Sequence, residues 1–107
     1  MRERRQNRLT DLWRDLVSEF LEKESDRTAI ITVTRIDLMA EGKLARCFIS
    51  IFPETNEKTA LGFAERRAGT VREYVSQKTK MRTVPKFEFT LDQGEKNRQR
   101  IDELLRK

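Results

Sequence analysis

Seven basic residues, Arg66, Arg67, Arg72, Lys78, Lys80, Arg82 and Lys86, fall between positions 65 and 86 of this 107-residue chain. Only Glu65 and Glu73 oppose them there, so the stretch carries +5, the net charge of the whole protein. The remaining 85 residues hold 16 basic and 16 acidic groups and cancel. Cations gathered on one segment form an electrostatic footprint for a polyanion. A charge run more often only keeps a small domain soluble, but here the entire excess is localised, which favours phosphate binding. Gly69 sits within the segment. Without a side chain it would admit another backbone closely, and free N–H groups at a following helix start would favour a phosphate. A bend that seats two helices on one sheet explains the same glycine equally well. A second basic group, Arg2, Arg4, Arg5 and Arg8, is interrupted by Glu3 and divides evenly between a helix start and phosphate contact.

Other chemistry lacks its residues. With no histidine and one cysteine, histidine catalysis, a histidine-ligated metal and a Cys/His zinc site are excluded. The carboxylates Asp37, Glu41, Glu88 and Asp92 could in principle serve a small hydrolase of phosphate esters or acyl phosphates. They fall at turns or on solvent-facing strand positions, where a solvated charge is the default. No catalytic residue, cofactor or metal is therefore expected. Cys47 permits no internal disulfide and reads as a small core residue. Apolar runs stay far below the ~20 residues of a membrane span, and Met1-Arg-Glu-Arg-Arg5 is not the start of a signal peptide. The expectation is a cytoplasmic binding domain with no membrane partner. Apolar residues make up 36% and charged residues 38% of the chain, yet the apolar ones recur periodically, so residues 1–107 read as a single folded domain.

The elements that would position these groups follow from that periodicity. Leu9, Leu12, Trp13, Leu16, Val17, Phe20 and Leu21 form an unbroken helical stripe that ends by Ser25–Asp26. Residues 29–38 are rich in β-branched side chains and read as a strand. Its inward parity changes between Val33 and Ile36, which a bulge near Thr34–Arg35 would reconcile, as would a strand buried partly on both faces. A turn over Met39–Lys43 leads to a second strand, Ala45–Phe52, giving an antiparallel hairpin. Ala45, Cys47, Ile49 and Ile51 share its inner face, leaving Phe48 and Phe52 off the core parity. Helical spacing resumes over residues 56–68. Gly69 interrupts it, and Thr70…Glu73 has the form of a capping box opening a further helix through Val71, Tyr74, Val75 and Lys78. Val84–Pro85 ends this region. Phe87, Phe89 and Leu91 alternate with polar residues as a third strand. Asp92-Gln-Gly-Glu95 resembles another capping box, before a last helix with Ile101, Leu104 and Leu105 on one side. The sum is a two-layer α+β sandwich.

Two stretches, Arg67-Ala-Gly-Thr-Val-Arg72 and Lys80-Met-Arg-Thr-Val-Pro-Lys-Phe-Glu-Phe-Thr-Leu-Asp92, resemble the ribosome-binding factor A family. The second keeps an R-x-x-P-x-x-x-F-x-x-D spacing as Arg82, Pro85, Phe89 and Asp92. Ile31-Thr-Val-Thr-Arg-Ile36, Ala45-Arg-Cys-Phe-Ile-Ser50 and Arg100-Ile-Asp-Glu-Leu-Leu105 extend the likeness from about Arg8 to Leu105. The resemblance implies a type II KH-like fold, αββααβ, with a helix–kink–helix at Gly69 in place of the Gly-x-x-Gly loop, a three-stranded sheet and a short C-terminal helix. It implies a non-enzymatic assembly factor that binds the free small ribosomal subunit and its ribosomal RNA; a monomer is expected. It also implies help with late maturation, including processing of the RNA 5′ end. Gly69 matches the kink glycine and Arg72 the arginine after it. Arg67 stands where the family's kink pattern has alanine, and Met39 and Glu41 where its hairpin turn has Ser and Asp.

The RNA-binding residues expected on these grounds are Arg66, Arg67, Gly69, Arg72, Lys78, Lys80, Arg82 and Lys86. The rival reading is a generic KH-type RNA module not tied to ribosomes, against which the missing Gly-x-x-Gly clamp argues.

Overall fold

Trp13, Val17, Phe20 and Leu21 turn inward on the first helix, α1 (Arg2–Glu24), as their spacing predicts. In the computed structural model residues 2–106 are described, with side chains for all of these except 2–7 and 99. Arg2, Arg4 and Arg5 of the N-terminal basic group therefore lie outside the described side chains, and Arg8 is exposed. The stripe's Leu12 stays 46% exposed, so the helix touches the core along a narrower face than its sequence offers.

Strands β1 (Ile30–Met39) and β2 (Leu44–Phe52) pair antiparallel, and the register shifts between Val33 and Arg35. That bulge puts both Val33 and Ile36 on the inner face despite their odd spacing. The turn between the strands places Ala40, Glu41 and Gly42 in succession at φ 52°, 55° and 86°. Only the glycine takes that region without steric cost. On β2, Ala45, Cys47, Ile49 and Ile51 are buried, and Arg46, Phe48 and Ser50 face the opposite way. Strand β3 (Lys86–Leu91) then pairs parallel to β2, completing the order β1-β2-β3.

Between β2 and β3 the chain forms α2 (Glu57–Arg66) and α3 (Ala68–Thr79). Ala60 and Ala64, then Val71 and Val75, close the core from the helix side. The break between the helices falls on Arg67 (φ −92°, ψ 1°), two residues before the expected Gly69. That backbone region is open to any residue, so the bend needs no glycine. Thr70 is the third residue of α3, so the Thr70…Glu73 capping box does not form. The arginine is accommodated because its side chain is exposed, while Ala68 packs half-buried against the core beneath the bend.

The last helix, α4 (Gln93–Arg106), is tied down mainly by charge. Lys96 Nζ reaches Glu57 Oε1 at 2.9 Å and Glu54 Oε1 at 3.2 Å, and Arg100 reaches Glu54 at 2.9 Å. Its apolar residues Ile101, Leu104 and Leu105 are 56–79% exposed rather than buried. Asp92 caps it: Oδ1 accepts the Glu95 N–H at 3.0 Å, and Oδ2 accepts the Thr34 hydroxyl at 2.5 Å. The expected capping box is thus half made, because the Glu95 carboxylate pairs with Arg98 instead of reaching back. Hydrogen bonds from Thr34 and from the Glu95 backbone hold the Asp92 carboxyl below its ordinary range. The stability it supplies is present above that ordinary value and is lost as pH falls through the lowered range. Asp92→Ala should cost about 1–2 kcal/mol by urea denaturation and reduce helical circular dichroism as α4 frays. An unchanged spectrum would show that α4 does not depend on this cap.

Candidate nucleic-acid interface

The first hydrogen bond closing α3 is the Val71 N–H onto the Arg67 carbonyl at 2.8 Å. The N–H groups of residues 68–70 precede it and have no partner within α3. Gly69 lies in this turn with no atom within 4 Å of where a Cβ would be, and its φ is not positive. Neither packing nor backbone conformation demands glycine there. What its absence of side chain leaves is bare, accessible backbone.

Gly69 lines a shallow groove with Arg72, Ser76, Gln77 and Arg82, floored by Val84. Among the described residues Glu73 is the one acidic group lining it. Arg72 Nε donates to the Val84 carbonyl at 3.1 Å, which ties α3 to the segment before β3 and fixes where the guanidinium sits. Ser76 Oγ donates to the Met81 carbonyl at 3.3 Å and holds the same segment one turn on. Lys80 ends α3 in the left-handed region (φ 57°), its N–H on the Ser76 carbonyl. This left-handed exit turns the chain back and carries Arg82 to the groove. The geometry suits phosphate: two guanidiniums, bare backbone and the exposed Gln77 amide share one surface.

The other expected residues are distributed around it. Arg67 lies exposed at the bend, its guanidinium 5.6 Å from the Phe63 ring centroid. Arg66 lines a separate hollow with Ser25, Asp26, Asn56 and Phe63. Lys86 opens β3 in a depression shared with Arg46, Glu65, Ala68 and Glu88. Lys78 is nine residues from Gly69, about half a turn around α3 at 100° per residue. Its ammonium lies 5.6 Å from the centre of the Tyr74 ring, which packs on Phe20 of α1. The structure therefore unites Gly69, Arg72 and Arg82, and turns Lys78 to another side.

Sequence reasoning missed a second polar surface on the open face of the sheet. Arg46 pairs with Glu88 at 2.6 Å, and Arg35 with Asp37 at 3.5 Å. The Arg35 guanidinium also lies 4.0 Å over the centre of the Phe48 ring. Outward parity of Arg46, Phe48 and Glu88 was legible, but the β2–β3 register that pairs them is a tertiary fact. Asp37 lies opposite Arg46, which lies opposite Glu88, so an arginine separates the two carboxylates. Asp92 is occupied by Thr34 and α4. Burial, with a contribution from Glu88, pushes the Cys47 thiol up to about 12, which keeps it protonated near neutral pH.

Residues 5–105 match the family model described as ribosome-binding factor A. This chain belongs to the ribosome-binding factor A family. Ribosome-binding factor A of Coxiella burnetii (strain Dugway 5J108-111) is 32% identical over 103 residues, covering 94% of this chain and 87% of that relative. The Thermodesulfovibrio yellowstonii relative is 31% identical over 105 residues, covering 96% and 89%. The crystal structure of ribosome-binding factor A from Thermus thermophilus superimposes with TM-score 0.70 over 78% of this chain and 91% of that one, at 21% identity. A Thermus thermophilus homology model fitted into a cryo-EM map of a 30S complex of that factor gives TM-score 0.61, at 23% identity, covering 79% and 92%. These likenesses agree with the α+β, KH-like order: one helix, a hairpin, two helices and a third strand. A kink at Arg67, and no Gly-x-x-Gly loop, joins the two middle helices of this family member. Among the described residues no helix is long and apolar enough to cross a membrane.

Proposed function

We propose that this chain binds the free small ribosomal subunit through its ribosomal RNA, as a monomer in the cytoplasm. It assists late maturation, including processing of the RNA 5′ end, without catalysing a reaction. The observation that carries the reading is the groove of Gly69, Arg72 and Arg82 in a member of the ribosome-binding factor A family. The name of the family and a relative fitted to a 30S map support the subunit as partner. Arg72 and Arg82 neutralise phosphates at the centre. Arg66, Arg67, Lys80 and Lys86 extend the positive field around them, and Lys78 adds long-range attraction from the α1 side. Phosphate contacts of this kind position the protein and carry no base sequence.

Co-sedimentation with purified small subunits across a salt series tests this reading. Stoichiometric binding that weakens steeply with salt, and is absent on assembled ribosomes, is the expected result. Binding to free RNA with none to subunits would move the protein to a generic RNA-binding module.

Gly69 supplies a sharper version. Gly69→Ala places a methyl group in open space within a helix, so stability should rise by roughly 0.5–1 kcal/mol. Subunit affinity should nevertheless fall, because the methyl keeps the RNA backbone from the bare first turn. A variant that is both more stable and equally tight would remove Gly69 from the interface.

A further inference from the structure

The open face of the sheet presents ring and guanidinium planes to solvent. Phe52 is 66% exposed at the end of β2. Phe48, four residues earlier on the same face, is half-buried, roofed by the Arg35 guanidinium at 4.0 Å. At 3.3–3.4 Å per residue the two stations lie about 13 Å apart. Between them the face carries the half-buried Ser50 and, opposite it on β1, the exposed Thr32, whose hydroxyls donate or accept hydrogen bonds. At the other end Lys43 and Lys86 are exposed and adjacent, the Lys86 N–H on the Lys43 carbonyl at 3.0 Å. Phosphate-binding charge thus lies at one end of the face and stacking surface runs along it.

We propose that this face is a second RNA contact, on which a single-stranded segment stacks one base on Phe52 and another on the Arg35–Phe48 pair. The inference rests on the RNA-binding reading above and adds a different physical term to it. Aromatic rings and arginine planes are the platforms on which unpaired bases stack. Around the rings the face carries little net charge, because Arg35 is paired with Asp37 and Arg46 with Glu88. The stacking contribution is therefore insensitive to salt, whereas phosphate contacts at Lys43, Lys86 and the kink groove are steeply sensitive. Stacking tolerates any base, so the contact prefers unpaired over paired RNA without reading sequence. Ile30, opposite Phe52 and equally exposed, adds apolar surface that a second copy of this chain would also use, and that occupant is an outcome of the test.

Affinities of wild type, Phe52→Ala and Phe48→Ala for small subunits and for a fluorescein-labelled nine-nucleotide single-stranded RNA test this, at two salt concentrations. Phe52 is exposed, so its removal leaves the fold intact, and circular dichroism checks that. Phe52→Ala should weaken both affinities by about tenfold or more, the scale of one stacked base, with the salt slope unchanged. Wild-type affinity in both phenylalanine variants would overturn the inference while subunit binding stood. If wild type ignored subunits but bound the oligonucleotide in a Phe52-dependent way, the sheet-face contact would stand and the subunit reading would fall. Failure to bind either RNA would overturn both. A change confined to sedimentation mass, with RNA affinity intact, would make the face a self-association surface and overturn the inference.

Discussion

Reversing two charges, Arg72→Glu and Arg82→Glu together, should lower affinity for small ribosomal subunits by roughly 10²–10⁴-fold. Hydrogen bonds to charged groups contribute about 1.5–3 kcal/mol each, and reversal adds repulsion to their loss. The diagnostic quantity is the salt dependence. Removing two phosphate contacts reduces the slope of log affinity against log salt by about 2, because two fewer counterions are released. Lys78→Glu is the internal comparison, since Lys78 sits over Tyr74 about half a turn away from the groove. It should change affinity far less and the slope by well under one contact. Arg72 also holds the Val84 carbonyl, so thermal melting must accompany the measurement. Arg72→Gln, which removes charge while retaining a donor, separates lost anchoring from lost electrostatics. Equal losses at Lys78 and at the groove would mean that binding follows net charge alone and has no defined site.

Phe87→Ala produces the largest stability change. Phe87 is 1% exposed on β3, opposite Ala45, with its ring edge-on to Trp13 at 5.9 Å and 81°. Truncating a fully buried phenylalanine costs about 3–5 kcal/mol, the lost transfer energy plus the cavity left behind. Small domains have only about 5–15 kcal/mol in total, so the variant approaches the unfolding threshold. Its thermal midpoint should fall by roughly 15 °C or more. Trp13, the one tryptophan, reports unfolding directly by fluorescence because it touches the altered ring. Leu104→Ala on α4, at a position 72% exposed, should change stability by less than about 0.5 kcal/mol. A comparable loss at Leu104 would mean that α4 packs against the body through its apolar stripe.

Phe87 and Leu104 also show where local pattern stops being informative. Both belong to apolar faces of correct period, yet one is sealed and the other faces water. Periodicity states which side chains share a face, and it cannot state whether another element covers that face. The same limit applies at the kink. Gly69 and Thr70…Glu73 are local punctuation, but the chain bends at Arg67, where an exposed residue in the bridge region costs little. The odd spacing of Val33 and Ile36 in β1 left two readings, a bulge or a strand buried on both faces, and the register shift between Val33 and Arg35 decides for the bulge.

The helical stripe of α1, the alternation of β2 and β3, the break of parity in β1 and the concentration of charge at residues 65–86 all follow from the order of residues along the chain. Each is a relation between residues a few positions apart, and backbone geometry converts such relations directly into faces. Long-range packing, by contrast, brings Arg82 back to Gly69 and Arg72 while Lys78 turns away. It also makes Arg46 meet Glu88 through parallel pairing of β2 and β3, and holds α4 by Lys96 and Arg100 rather than by its leucines. These are relations between segments up to 46 positions apart. They depend on helix phase, strand register and the direction of the exit from α3, which no local repeat encodes.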